Sequence, residues 1–91
     1  MLNGKNILIT GGTGSFGKKF LEMIFERYNP NKVIIYSRDE YKQSVMKSEY
    51  GNKVDMSKVR FFIGDVRDKD RLFRAFENVD YVIHAAAMKQ V

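Results

Sequence analysis

Four short apolar segments alternate with three amphipathic segments along the chain, and this alternation predicts an α/β fold built on a parallel sheet. The apolar segments are uninterrupted and rich in β-branched residues, which is typical of strands buried on both faces. A glycine-rich sequence, GGTGSFG, directly follows the first of them. The 91 residues suffice for one domain with a modest core, and they leave no room for a separate substrate domain.

The first strand and helix are marked by a change in hydrophobic period. Residues 7–10, ILIT, form a β-favouring run after Asn6. In residues 16–28, apolar side chains recur at helical spacing while Lys and Glu occupy the other side. Pro30 ends this helix, because the residue before a proline avoids helical geometry.

A second strand is predicted over residues 33–36, and a weaker helix follows in residues 37–51. Its pattern predicts that Tyr41, Val45 and Met46 face the core and that Gly51 ends the helix. The polar segment 52–58 is turn-prone, and a third strand is predicted over residues 59–63.

A third helix is predicted over residues 69–77, with Asp68 as its N-cap and Leu72, Phe73 and Phe76 as its apolar stripe. A fourth strand, residues 81–83, follows it. Right-handed crossovers then give the strand order 3-2-1-4, with helices on both faces. This is the first half of a doubly wound, Rossmann-type parallel sheet, in which ligands bind at the switch point between strands one and four.

Charge and composition narrow the possible partners. The net charge of +5 divides into +3 for residues 1–37 and +2 for residues 38–91, so no segment concentrates it and nucleic-acid binding is not expected. With no cysteine and a single histidine, we expect no metal site and no disulfide, and a cytoplasmic location. No apolar run approaches the length of a membrane span.

The glycine cluster gives the spacing T-G-x-x-G-x-x-G after a buried strand and at the start of a helix, which predicts a dinucleotide-binding turn. Gly11 and Gly14 allow a tight turn and close approach of a pyrophosphate, and Gly17 allows close packing of the helix on the strand. The free N–H groups of Ser15 and Phe16 and the positive end of the helix would hold the phosphates. The alternative is a glycine-rich turn that binds no ligand.

The end of the second strand predicts which dinucleotide is bound. An NAD-binding protein places a carboxylate there, whereas this chain has Ser37 and Arg38, with Lys42 one helical turn further on. A hydroxyl, a guanidinium and an ammonium suit a 2′-phosphate, so NADP is predicted. Two alternatives remain: a shift in register would bring Asp39 to the strand end, or the two cations are ordinary solvated side chains.

Two further strand ends carry candidate residues. Asp65 can accept a hydrogen bond from the adenine amine while the backbone of Val66 serves the ring, or it can simply begin a turn. After the fourth strand, the small Ala85 would let the cofactor lie against the backbone. Lys89 could reach the nicotinamide ribose or an anionic substrate, or be solvated. His84 is interpreted as a hydrogen-bonded core histidine rather than a catalyst.

Tyr28 and Lys32 match the spacing of a catalytic Tyr-x-x-x-Lys pair, but we expect no catalytic role for them. Such a pair must share one helical face, and Pro30 lies between these residues and ends the helix.

Several longer strings, ILITGGTGSFGK, IIYSRDEYKQ, RFFIGDVRDKDRL and VDYVIHAAAMKQV, resemble the extended short-chain dehydrogenase/reductases. Within that group they are similar to the inverting UDP-N-acetylglucosamine 4,6-dehydratases of pseudaminic acid and related bacterial surface-glycan synthesis. The resemblance covers nearly the whole chain and is poorest in residues 47–58.

The resemblance implies NADP contacts at these residues: Thr13, Gly14, Ser15, Phe16, Ser37, Arg38, Asp39, Glu40, Tyr41, Lys42, Asp65, Val66, Ala85 and Lys89. It also places Ala85 and Lys89 beside the sugar nucleotide, UDP-N-acetylglucosamine. The implied reaction is an internal redox cycle: a hydride leaves carbon 4 of the sugar, water is lost across carbons 5 and 6, and the hydride returns to carbon 6 with inversion at carbon 5.

The family's catalytic residues correspond to no position in residues 1–91, so we assign none here and expect the chain to be the N-terminal part of a larger, homo-oligomeric enzyme. Two alternatives remain open. One is another extended short-chain enzyme, such as a sugar-nucleotide epimerase, and the other is a non-catalytic NADP-binding module.

Overall fold

The computed structural model describes residues 1–11 and 13–85, and it contains the predicted alternation of strands and helices. The elements are β1 (Asn6–Thr10), α1 (Ser15–Arg27), β2 (Lys32–Ser37), α2 (Glu40–Tyr50), a short 3-10 helix (Met56–Lys58), β3 (Val59–Ile63), α3 (Lys69–Ala75) and β4 (Tyr81–His84). The 3-10 helix lies in the segment predicted to be turn-prone, and α3 ends two residues earlier than predicted.

The four strands form one parallel sheet in the order β3-β2-β1-β4, which confirms the predicted topology. Ile7 of β1 pairs with Val33 of β2 and with Tyr81 of β4, so β1 lies at the centre. The carboxyl ends of all four strands therefore meet at one edge of the sheet, where open α/β sheets bind their ligands.

Alternate residues of the strands form two cores, one on each face of the sheet. On one face, Ile7, Ile9 and Ile35 pack in a cluster with Leu21 of α1 and Met46 of α2, all of them fully buried. The other face is covered by α3, and its cluster comprises Leu8, Ile34, Tyr36 and Ala75. Helices thus lie on both faces, as the doubly wound interpretation requires.

Three predicted core residues were assigned wrongly: Tyr41 of α2, Phe73 of α3, and Phe76, which is 37% exposed at the C-cap of α3. Tyr41 of α2 is 76% exposed, because Gln43, Met46 and Tyr50 occupy the inward side of that helix and Tyr41 falls outside it.

Phe73 of α3 is 79% exposed, because Ala75 and Leu72 contact the sheet instead. In both helices the inward direction is set by packing against the strands, and the apolar residues alone indicated the wrong side.

Two predicted boundary signals, the Asp68 cap and the helix end before Pro30, agree with the structure, whereas α2 begins at Glu40, three residues later than predicted. The Asp68 carboxylate accepts a hydrogen bond from the backbone N–H of Arg71 at 3.2 Å and caps α3. Helix α1 ends at Arg27, so Tyr28 lies outside it in an extended conformation and Lys32 begins β2. These two residues therefore do not share a helical face, and the Tyr-x-x-x-Lys spacing carries no catalytic pair here.

Tyr36 packs in the core directly beneath Gly64. Its ring is fully buried and stacks on Phe62 with the ring centroids 5.6 Å apart. Its hydroxyl donates to the carbonyl oxygen of Asp65 at 2.9 Å. A Cβ atom at Gly64 would overlap the Tyr36 hydroxyl and lie 2.7 Å from the ring carbon that carries it, so this position admits only glycine.

Replacing Gly64→Ala should lower the free energy of unfolding by about 1 to 3 kcal/mol, because the buried Tyr36 ring cannot move without disturbing the core. Urea unfolding of the purified protein measures this change. The matched control is Gly51→Ala: Gly51 has helical φ and ψ of −56° and −28°, and a Cβ there would lie 3.3 Å from the Lys47 carbonyl oxygen, so an alanine needs only a small adjustment and should change stability by less than about 1 kcal/mol. Equal losses in the two variants would contradict the steric assignment.

Candidate functional site

A cavity of about 500 Å³ opens at the carboxyl ends of β1, β2 and β3. It is lined by residues at and just beyond the end of each of these strands: Gly11, Thr13, Gly14, Tyr36, Ser37, Arg38, Asp39, Lys42, Gly64, Asp65, Val66 and Arg67. Its volume lies within the range of small-molecule sites, about 300 to 1,000 Å³. Three of the four predicted site segments therefore meet at one place.

The glycine turn forms one wall of the cavity. Gly11 has a φ of 65°, in the left-handed region that favours glycine, and its N–H donates to the carbonyl oxygen of Tyr36 at 2.9 Å. Gly14 is the N-cap of α1 and has no side chain that could accept from the first N–H groups of the helix. The positive end of a 13-residue helix thus faces the cavity with donors suited to a phosphate.

The other predicted residues of this turn have different surroundings. Gly17 is buried, as expected for close packing of α1 on the sheet. The Phe16 ring packs against Phe20, with centroids 5.0 Å apart, and Phe16 is not part of the cavity lining. Ser15 is exposed at the first position of α1 and its side chain is not part of the cavity lining.

The end of β2 places the predicted cations beside this turn. The strand ends at Ser37, whose hydroxyl oxygen accepts from the Gln43 amide at 3.0 Å and still has its own proton to donate. Arg38 comes next, with a side chain that is 73% exposed, and Lys42 lines the same wall.

Asp39 serves as the N-cap of α2, where its carboxylate accepts from the backbone N–H of Lys42 at 3.0 Å. Since β2 ends at Ser37, the alternative register that put Asp39 at the strand end is wrong. Glu40 and Tyr41 form the exposed first turn of α2, and neither belongs to the cavity lining.

Asp65 lies between two guanidinium groups at the end of β3. Arg67 donates from Nη2 to one carboxylate oxygen at 2.9 Å and from Nε to the other at 3.2 Å, and its backbone N–H donates at 2.9 Å. Arg38 approaches with one nitrogen at 3.4 Å. The hydrogen bonds from Arg67 hold the pKa of the Asp65 carboxyl far below its ordinary value, and the same pairing raises the pKa of Arg67.

Besides Gly64, two lining residues, Tyr36 and Arg67, and one residue beside the cavity, Gln43, were not predicted. Arg67 could have been anticipated from its position two residues after Asp65, the spacing of an Asx-type turn. Gln43 is a polar residue at helical spacing from Met46 and Tyr50, which marks it as an inward-facing amide. The role of Tyr36 at the cavity floor depends on contacts across strands, and no local signal indicates it.

The structure describes the fourth segment only as far as Ala85. Ala85 is 1% exposed and its methyl group packs in the core with Ile7 and Ile9, so its side chain does not face the cavity. His84 is hydrogen-bonded as predicted, with Nδ1 2.7 Å from the Thr10 hydroxyl, but its side chain is exposed, so the core assignment is wrong. Lys89 lies outside the described residues.

The geometry suits a ligand that carries phosphate groups. The helix terminus and the left-handed Gly11 suit a pyrophosphate, and Arg38, Lys42 and Arg67 supply cations on the opposite wall.

Within residues 1–11 and 13–85, no three acidic or histidine side chains gather as metal ligands. The same part of the chain contains no helix with the length and apolar character that crossing a membrane requires.

Comparison with known proteins identifies one matching family model and several similar proteins. A family model described as polysaccharide biosynthesis protein matches residues 7–91. The chain is 62% identical, over all of its 91 residues, to a UDP-N-acetylglucosamine 4,6-dehydratase (inverting) of Campylobacter jejuni, of which it covers 26%. It is 45% identical over 98 aligned positions to a UDP-glucose 4-epimerase of Rickettsia bellii, again covering 26% of that protein.

Among solved structures, Pen from Bacillus thuringiensis superposes with a TM-score of 0.81 at 41% identity. That match covers 90% of this chain and 24% of the other. The chain thus spans about a quarter of the length of the curated relatives that it matches.

The titration of Asp65 tests the arrangement at the end of β3. Because its pKa is lowered, Asp65 is ionised at and above the ordinary aspartate value of about 4, and its pairing with Arg67 is lost only as the pH falls well below that value. Arg67→Gln should raise the Asp65 pKa toward the ordinary value, as followed by carboxyl-carbon NMR. Asp55, whose pKa is lowered by hydrogen bonds from Ser57, is the internal control and should not move. An unchanged Asp65 midpoint would contradict the assignment.

Proposed function

The chain belongs to the polysaccharide biosynthesis protein family, and from this we propose that it forms the NADP-binding part of a UDP-N-acetylglucosamine 4,6-dehydratase that inverts carbon 5. The observation that carries the cofactor assignment is the meeting of a glycine turn, an uncapped helix N-terminus and the cations after β2 at one cavity. The observation that carries the activity is the 62% identity over the whole chain to a protein of that name.

The choice of NADP over NAD rests on the residues directly after β2. The carboxylate of Asp39 caps α2, so it does not take the position from which an acidic residue would accept from the ribose hydroxyls. Arg38 is next to the strand end and is held by only one long contact to Asp65, which leaves its guanidinium able to turn toward a 2′-phosphate. Lys42 adds a second cation on the same wall.

When bound, NADP would supply the acceptor and donor of the hydride. In this proposal Gly11, Thr13 and Gly14 approach the pyrophosphate, and the N–H groups of Ser15 and Phe16 hydrogen-bond to it. Asp65 and the Val66 backbone would contact the adenine ring at the end of β3. We further propose that the Ala85 backbone and Lys89 border the nicotinamide and the sugar nucleotide.

The proposed reaction converts UDP-N-acetylglucosamine into a UDP-4-keto-6-deoxy sugar with inverted carbon 5, for bacterial surface glycans such as those containing pseudaminic acid. A hydride leaves carbon 4, water is eliminated across carbons 5 and 6, and the hydride returns to carbon 6, so the cofactor is not consumed. A chain without cysteine suits the reducing cytoplasm.

The second candidate is a 4-epimerase, which the 45% identity to the Rickettsia enzyme favours.

Arg38→Ala should weaken NADPH binding by about 1.5 to 3 kcal/mol, the usual contribution of a hydrogen bond to a charged group, and should leave NADH binding almost unchanged. Fluorescence titration of the purified protein with each cofactor measures both affinities. The matched control is Arg60→Ala, because Arg60 is an exposed arginine of β3 outside this cavity and should affect neither cofactor. Equal losses for NADPH and NADH in Arg38→Ala would refute the 2′-phosphate assignment.

The enzyme that contains this chain should convert UDP-N-acetylglucosamine carrying deuterium at carbon 4 into a 4-keto-6-deoxy product with the deuterium at carbon 6. NMR of the product distinguishes this outcome from epimerisation. A 4-epimer with no 4-keto-6-deoxy product would overturn the dehydratase proposal and support the epimerase.

A further inference from the structure

We propose that Arg67 is a positioning residue for NADP selectivity: it neutralises the Asp65 carboxylate and thereby releases Arg38 to bind the 2′-phosphate. This inference rests on the proposed NADP binding and deepens it, since the predicted specificity residues after β2 do not include Arg67. The observation that supports it is that the guanidinium groups of Arg67 and Arg38 contact the Asp65 carboxylate unequally.

The geometry around Asp65 is asymmetric. Arg67 binds both carboxylate oxygens, at 2.9 and 3.2 Å, in the bidentate arrangement that makes an arginine–carboxylate pair strong. Its backbone N–H adds a third hydrogen bond at 2.9 Å. Arg38 contributes one contact at 3.4 Å, near the limit of a hydrogen bond, to an oxygen that Arg67 already occupies. Arg67 is therefore the principal partner of Asp65, and Arg38 is the partner that can break its contact with the carboxylate.

The charges in the cavity explain why the pairing of Arg67 with Asp65 favours the binding of a phosphate. Asp65 lines the same cavity as Arg38 and Lys42, so an uncompensated carboxylate there would repel a 2′-phosphate. It would also compete for the Arg38 guanidinium, the group that the phosphate needs. With Arg67 paired to Asp65, those two charges cancel locally. The other carboxylate of the lining, Asp39, accepts from the backbone N–H of Lys42, and the Arg38 and Lys42 side chains remain as cations for a phosphate.

Arg67 could instead bind the phosphate directly, because its side chain is 80% exposed and lines the cavity. The two roles predict different behaviour once Asp65 is made neutral. If Arg67 is a positioning residue, it has no carboxylate to neutralise in the Asp65→Asn variant. Replacing Arg67 in that variant should then have little effect on the preference for a 2′-phosphate. A direct phosphate ligand is needed whether or not Asp65 carries a charge.

The test is a double-mutant cycle read with two probe ligands, adenosine 2′,5′-bisphosphate and 5′-AMP, by isothermal titration of the purified protein. The measured quantity is the ratio of their dissociation constants, which cancels losses of adenine contacts and of folded protein that affect both ligands alike. Arg67→Gln should reduce the preference for the bisphosphate about tenfold, a size typical of coupling between contacting groups. In the Asp65→Asn background, the same substitution should change the preference less than about twofold.

Four outcomes would overturn the proposal or give Arg67 a different role. An equal loss of preference in both backgrounds would make Arg67 a direct phosphate ligand, and no loss in either would remove it from selectivity. Arg60→Gln, away from the cavity, should leave the ratio unchanged, and a loss there would point to a general charge effect. If the unsubstituted protein itself showed no preference for the bisphosphate, the NADP proposal would fail, and this result is distinct from the other outcomes.

Discussion

Tyr36 connects the segments that form the cavity. Its carbonyl oxygen accepts from the N–H of Gly11, and its hydroxyl donates to the carbonyl oxygen of Asp65, both at 2.9 Å. Burial raises the pKa of the Tyr36 hydroxyl, so the group stays protonated and remains a donor. Because the ring is fully buried against Phe62, the glycine turn and the end of β3 are tied to the core of the sheet. Their relative positions are therefore set before a ligand binds, which reduces the ordering cost of binding.

A second connection fixes the charged residues after β2. The side-chain amide of Gln43 donates to the backbone and hydroxyl oxygens of Ser37 and to the carbonyl oxygen of Phe62, at 3.0 to 3.3 Å. This one amide thus links α2 to the ends of both β2 and β3. The N-cap contributed by Asp39 adds a local constraint on the same turn. Consequently Lys42 is presented from a well-anchored helix start, the kind of rigid element that makes a binding site specific.

The topology and the location of the site could be predicted from local sequence signals, whereas the partners of individual side chains could not. Buried strands, a glycine turn and the cap at Asp68 are each encoded within a few residues, so their positions could be predicted. The inward side of a helix depends on the sheet that it packs against, which is why Tyr41 and Phe73 were misassigned. The contact of Arg38 with Asp65 depends on how β2 and β3 align, and a linear pattern does not contain that distance.

The arrangement around Asp65 is better explained by binding than by folding. Exposed ion pairs contribute little to stability, and the Arg38 and Arg67 side chains are 73% and 80% exposed. Gathering Arg38, Arg67 and Lys42 at one cavity also adds repulsion that the two carboxylates of its lining, Asp39 and Asp65, only partly relieve. A fold selected for stability alone would disperse such charges over the surface. An anion that enters the cavity supplies the missing negative charge, and it does so at the strand ends where the glycine turn already presents backbone donors.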